Sequence, residues 1–356
     1  MPLIIEGGRV PPRWAETKRR PLGTAESYAA GAECVRIAFI NNMPDAALED
    51  TETQFFELLD AASGDILVCV NLYSLPGVLR GERGQQHLGN FYSSTDELFG
   101  HRFDGMIMTG TEPKQSNLRH EPYWSALANV IDWAENNTVS TILSCLAAHA
   151  GVLYSDGINR HLLSDKQFGV FAFDKSASHR LTSGTEELIR FPHSRWNEVR
   201  ADDLAACGYT VLTQSDDGGV DSFTKKKKRS LFVHFQGHPE YDAHTLLKEY
   251  RRDIKRFVRA ERETYPSMPR GYFDAASTGL VAEFRDLVLS DRREELMEGF
   301  PEAGLAGGLQ NTWRSSATAI YRNWLHYVVS NKSDMSEFSA VAALRERVQG
   351  KRSALR

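Results

Sequence analysis

The sequence predicts an α/β protein with a mostly parallel sheet and helices on both faces. Three observations carry that reading. Apolar runs of strand length alternate with amphipathic helical stretches through the first half of the chain. One of those runs ends in a cysteine that opens a small-residue helix, TILSC followed by LAAHAG (141–151). A second strong strand, late in the chain, runs into the polar turn GHPEYD (237–242). Ligands of such sheets collect at the carboxyl ends of the strands, where both segments should emerge.

Taken in order, residues 1–34 are rich in Pro, Gly and Arg without a clear period, and read as an arm laid on the domain. The α/β domain is expected from 35 to 330. VRIAFINNMP (35–44) is a buried strand ending in a loop, and TETQFFELLDAA (51–62) a helix with Phe55, Leu58 and Leu59 on one face. DILVCVNLY (65–73) and RFDGMIMTGTEP (102–113) supply two more strands. In EPYWSALANVIDWAEN (121–136), Trp124, Leu127, Val130, Ile131 and Trp133 recur at helical spacing, with Pro122 suited to the first turn. TVSTILSC (138–145) is a fourth strand and LAAHAGVLYS (146–155) the helix after it. The second half is more mixed: a strand in RSLFVHF (229–235), a long helix in AHTLLKEYRRDIKRFVRAE (243–261) and a closing helix in TAIYRNWLHYVV (318–329). Between them, residues near 275–307 read as an insertion, and 331–356 as a polar tail.

Composition narrows the function. With 42 Lys and Arg against 47 Asp and Glu the net charge is −5, which argues against nucleic acid as the partner. The one basic run, KKKKR (225–229), then reads as a solvated hairpin or loop tip. No apolar run approaches a membrane span, and Leu3–Ile5 is too short for a signal peptide, so the expected location is cytoplasmic. Four cysteines, Cys34, Cys69, Cys145 and Cys207, lie far apart with no CxxC pair, and no metal constellation is visible in the sequence.

Cys145 stands where a strand turns sharply into a helix, facing the helix's free N–H groups and positive dipole end, which favour a thiolate. Position alone leaves it as either a nucleophile or a buried filler; a base must decide. In GHPEYD, His238 and Glu240 can form a pair in which the carboxylate orients the imidazole toward the thiol. His149, one turn beyond Cys145, is the rival base, ranked lower because it points along the helix.

These segments, with MPD…TETQF near the N-terminus and PHSRW (192–196), resemble the homoserine O-succinyltransferase/O-acetyltransferase family of methionine biosynthesis. HLGNFY (87–92), FDGMIMTG (103–110) and TWRSSATAIYRNWLHYVV also match family-like stretches, in order, over about residues 35–330. The resemblance implies a class I glutamine amidotransferase-like fold, a flavodoxin-like sandwich. It implies ping-pong acyl transfer with acyl-CoA, succinyl-CoA or acetyl-CoA, as cosubstrate and no bound cofactor. Cys145 would carry the acyl group, His238 would act as base beside Glu240, and the Leu146 N–H would bind the oxyanion. A second donor would come from Met43–Asp45. Arg252 matches the arginine that pairs with the acceptor's α-carboxylate, and Lys166, Ser194, Arg195 and Tyr241 match other pocket residues. The partners implied are small-molecule substrates and a second copy in a homodimer.

The chain departs from the family pattern in three places. Asp45 stands where lysines follow the MP of the first loop; Lys114 occupies the position tied to acyl-donor selectivity, leaning toward succinyl; and the 275–307 insertion is atypical. Two alternatives therefore stay open: acylation of another small amino acid, and hydrolysis of glutamine by the same Cys–His–Glu set. A binding protein that merely kept the pocket is disfavoured, because nucleophile and base are both present.

Overall fold

In the computed structural model of the chain, the described residues are 3–6, 9–17 and 34–332. Most of the N-terminal segment and the tail from 333 onward lie outside them. The chain divides into two compact units: Met1–Leu143 with Lys225–Val233 and Ile320–Arg356, and Ser144–Thr224 with His234–Ala319. Among the described residues the strands are β1 (Leu3–Ile5), β2 (Cys34–Ile40), β3 (Leu67–Tyr73), β4 (Gly105–Met108), β5 (Ser140–Ser144), β6 (His161–Lys175), β7 (Ile189–Glu198), β8 (Thr210–Ser215), β9 (Gly219–Lys227) and β10 (Ser230–Phe235).

The first unit is the parallel α/β body. Its strands neighbour one another in the order β1-β3-β2-β4-β5-β10. β1 with β3, β3 with β2, β2 with β4 and β4 with β5 all pair parallel. Strands covered on both faces have no solvent side, which is why Ile37–Ile40 and Met106–Met108 are continuous apolar runs with no exposure. The helix Asp45–Ser63 joins β2 to β3 and buries Leu48, Phe55, Phe56, Leu58 and Leu59. The helix Trp124–Asn137 joins β4 to β5; it starts after Pro122, so that proline shapes the entering turn and not the first helical turn. A helix over 314–332 buries Ile320, Tyr321, Trp324, Leu325 and Val328. Part of the N-terminal segment read as an arm is sheet: Leu3–Ile5 pair in register with Val68–Val70, and Trp14 packs edge-on against Phe56 at 5.4 Å.

The second unit holds the antiparallel strands, in the order β9-β8-β6-β7. It also holds the helices Leu146–Asp156, Thr245–Val258 and Ala275–Ser290. The last is the core of the insertion. Asp274 caps it by accepting from the Ser277 N–H at 2.7 Å, and Phe284 packs edge-on to Phe300 at 5.3 Å. The basic run belongs to the first unit and is a hairpin tip: β9 ends in Lys225–Lys227, Lys228 turns at φ 46°, and β10 begins at Ser230. Lys228 pairs with Glu135 at 2.8 Å. No described helix is long and apolar enough to cross a membrane.

Candidate active site

Cys145 sits between β5 and the helix Leu146–Asp156 with φ 54° and ψ −115°. An L-residue pays for that backbone, since Cβ crowds the neighbouring carbonyl; such strain collects where a side chain must be presented. The strained turn is pinned by the Cys145 N–H, which donates to Phe235 O on β10 at 2.8 Å. The first bonded amides of the helix are those of Ala148 and His149, both donating to Cys145 O. The Leu146 and Ala147 amides precede them in the first turn, where helix N–H groups point forward without an intrahelical acceptor.

Three residues after β10, the turn delivers His238, whose own N–H donates to Pro192 O at 2.9 Å. Its Nδ1 meets Glu240 Oε1 at 2.8 Å, and its ring also hydrogen-bonds Cys145. All three residues of the set are thereby joined. Burial pushes the His238 imidazolium down, but Cys145 and Glu240 outweigh it and hold the proton well above the usual histidine range. The Tyr241 ring stacks on the imidazole at 4.1 Å and 18°.

Behind Tyr241 lies a charge cluster built on the helix Thr245–Val258. Glu249 accepts from the Tyr241 hydroxyl at 2.7 Å and from the Ser194 hydroxyl, and faces Lys166 at 3.7 Å and Arg252 at 3.5 Å. One turn on, Asp253 takes Lys166 at 2.8 Å and Arg252 at 3.0 Å. Burial alone would raise the Glu249 carboxyl; Lys166, Arg252 and the two hydroxyls reverse this and hold it below the usual range. Arg252 keeps half of its side chain in solvent, so its guanidinium is open to a further anion. Arg195 is not: it is buried and its donors go to His193 Nδ1, Asn197 O and Gly218 O. His149 is also committed elsewhere, with Nε2 at 2.8 Å from Gln236 Oε1 and its pKa pushed down to about 3 by burial.

A family profile described as "HTS: Homoserine O-succinyltransferase" matches residues 20–335. The homoserine O-succinyltransferase of Rhodopseudomonas palustris is 44% identical over 297 residues, 83% of this chain and 89% of its own. The chain belongs to the homoserine O-succinyltransferase family. The enzyme of that name from Bradyrhizobium japonicum is 42% identical, covering 82% of this chain and 89% of its own. A solved glutamine amidotransferase from Thermotoga maritima aligns over 83% of this chain and 99% of its own, at 11% identity and a TM-score of 0.43.

As a member of this acyltransferase family, the chain brings Cys145, His238, Glu240, Leu146, Lys166, Ser194, Arg195, Tyr241 and Arg252 into one unit. Lys114 lies in the other, exposed, 3.7 Å from Glu112, with its amide on Glu121 Oε1. Asp45, also there, accepts from the Gly81 N–H at 2.7 Å and lies 3.6 Å from buried Arg80. The sequence reading missed Glu249 and Asp253, the anions on which Lys166, Ser194, Tyr241 and Arg252 converge. Their signal was present: two carboxylates at i and i+4 repel on a helix unless cations lie between them. It also missed the buried His193–Asp221 pair at 3.2 Å, whose contact leaves no room for a Cβ at Gly237, the residue before His238.

Proposed function

We propose that this protein transfers a succinyl group from succinyl-CoA to the hydroxyl of L-homoserine, by way of a succinyl-Cys145 thioester. The observation that carries the reading is the joined Cys145–His238–Glu240 set on a strained elbow at a helix N-terminus. The donor and acceptor follow the names of the relatives.

In the first half-reaction Cys145 Sγ attacks the thioester carbonyl, and the oxyanion meets the Leu146 N–H. The carbon–sulfur bond to CoA breaks, and the CoA thiolate takes its proton from His238. One thioester replaces another, so the exchange is nearly balanced. In the second half, neutral His238 takes the proton of the homoserine hydroxyl, whose oxygen attacks the acyl carbon. Cys145 then leaves as a thiolate beside the imidazolium. Arg252 pairs with the acceptor's carboxylate through its planar fork.

Intact-protein mass spectrometry tests this. Succinyl-CoA alone should add one succinyl group to Cys145, acetyl-CoA much less, and homoserine should discharge the adduct where serine does not. Cys145→Ala should show no adduct and no turnover. An acylated or active Cys145→Ala protein would reject the mechanism, and glutamine hydrolysis by an enzyme inert to both thioesters would move the site to amidotransferase chemistry.

A further inference from the structure

Far along the sequence from the catalytic cysteine, three strands of the first unit bring together a second set of sulfur and oxygen ligands. In register, β3 Cys69 lies opposite Ile4 of β1 on one side and Arg36 of β2 on the other. Side chains repeat every two residues on one face of a strand, so Glu6, two residues past Ile4, and Cys34, two before Arg36, share the face of Cys69. The carboxylate of Glu6 and the sulfurs of Cys34 and Cys69 all lie within 4.8 Å of one another, and the two thiols hydrogen-bond. Cys69 is buried; Cys34 and Glu6 are partly so. All four cysteines of the chain are free.

The geometry points to a site for one borderline-soft divalent cation, of the Zn²⁺ class, held by Glu6, Cys34 and Cys69. Two thiolates and a carboxylate suit zinc, and the soft sulfurs bind harder alkaline-earth ions poorly. Tetrahedral zinc with sulfurs at about 2.3 Å sets them about 3.8 Å apart, within the spread observed. Charge closes as well: the three ligands carry −3 when deprotonated, the cation +2, and Arg36, 3.4 Å from Glu6, supplies the remaining +1. Three protein ligands leave a fourth position for water. The site explains how β1, three residues long and by itself a marginal strand, would be fastened: the cation ties it to β2 and β3, and binding energy becomes folding energy.

The test uses the full-length Cys145→Ala chain, reduced and freed of metal, so that the catalytic thiol does not compete. Titration with Co²⁺ should give thiolate-to-cobalt charge-transfer absorbance saturating at one equivalent and removed by Zn²⁺. Adding Cys34→Ser should abolish the band, and Glu6→Gln should weaken Co²⁺ binding about ten-fold or more. Zn²⁺ should raise the melting temperature of the Cys145→Ala protein and not of Cys34→Ser/Cys145→Ala. Cys34 is partly exposed and tolerates the change, so the test does not hang on Cys69→Ser folding. No charge-transfer band, a band that survives Cys34→Ser, or a Cys34–Cys69 disulfide as the resting form would each overturn the proposal.

Discussion

Cys145 holds a backbone conformation that costs stability in order to present its sulfur. Glycine adopts φ 54° and ψ −115° without a Cβ clash, so Cys145→Gly should be more stable than Cys145→Ala by about 1 kcal/mol. Both lack the thiol, so the difference isolates backbone strain, and urea unfolding of the pair measures it. An alanine variant as stable as the glycine one would mean the elbow is unstrained. Glu240 makes a second residue-scale prediction. In the proposed acyl-enzyme Cys145 no longer acts on His238 as a thiol, which leaves Glu240 to hold the His238 proton tight. Glu240→Gln should lower that pKa, moving the acid limb of kcat/KM for homoserine down by about one pH unit. It should also cut the rate at neutral pH on the order of 10²-fold, as the imidazole loses its orienting partner. An unmoved limb would remove Glu240 from the mechanism. The elbow cysteine and the His–x–Glu turn were legible because each announces itself within a few residues. Glu249 showed only as one of two carboxylates a turn apart, because its partners Lys166, Ser194 and Tyr241 come from three separate segments that the fold gathers.

Among elements, legibility followed how strictly burial writes its pattern. The parallel strands β2–β5 are covered on both faces and read as apolar runs, and the helices between them show their stripes. The antiparallel strands of 161–227 escaped. β6 is bulged between Leu162 and Gln167, which breaks its alternation, and Gly169 sits at φ 135° where a Cβ would fall 2.3 Å from the Arg270 backbone. A turn-like glycine and an interrupted period conceal a strand. β1 was missed for another reason: three residues carry no period, and only β3 makes them a strand. The packing of the closing helix offers a prediction at this scale. A Cβ at Gly105 on β4 would meet the Trp324 ring at 2.9 Å, and that indole donates to Ser140 Oγ at 2.9 Å. Gly105→Ala therefore has to move a buried indole off its acceptor, and should destabilise by about 1–3 kcal/mol. Most of that cost should vanish in a Trp324→Leu background, a coupling that a double-mutant cycle reads directly. Additive costs would show that the strand and this helix do not compete for the space.

For the molecule as a whole, buried histidines set the pH range of stability, and they pull in opposite directions. His87 and His238 bind protons more tightly folded than unfolded. Burial opposes protonation in both, but Glu52 wins for His87, and Cys145 with Glu240 for His238. Their contribution is complete below the ordinary value of 6.5 and is lost as pH rises through their raised folded values. His149 and His193 do the reverse. Burial, as the main cause, holds them neutral until about 3 and about 4, so the unfolded chain takes up their protons first as pH falls below 6.5. Each then costs roughly 1.4 kcal/mol per pH unit across that interval. Stability should accordingly peak near pH 6.5 and fall steeply on the acid side, well before the depressed carboxyls Glu249 and Asp253 begin to titrate. His149→Gln removes one of the acid-side protons, which His193 and the burial-lowered His179 share, while keeping a polar group beside Gln236. It should be less stable than the parent at pH 7, yet lose stability on acidification with a slope lower by about one proton, so that the gap narrows toward pH 4.5. Urea unfolding at pH 7, 5.5 and 4.5 decides the matter. Parallel pH curves for the two proteins would show that His149 is not held neutral, and would transfer the acid sensitivity to His193 and the carboxylates of the Lys166 cluster.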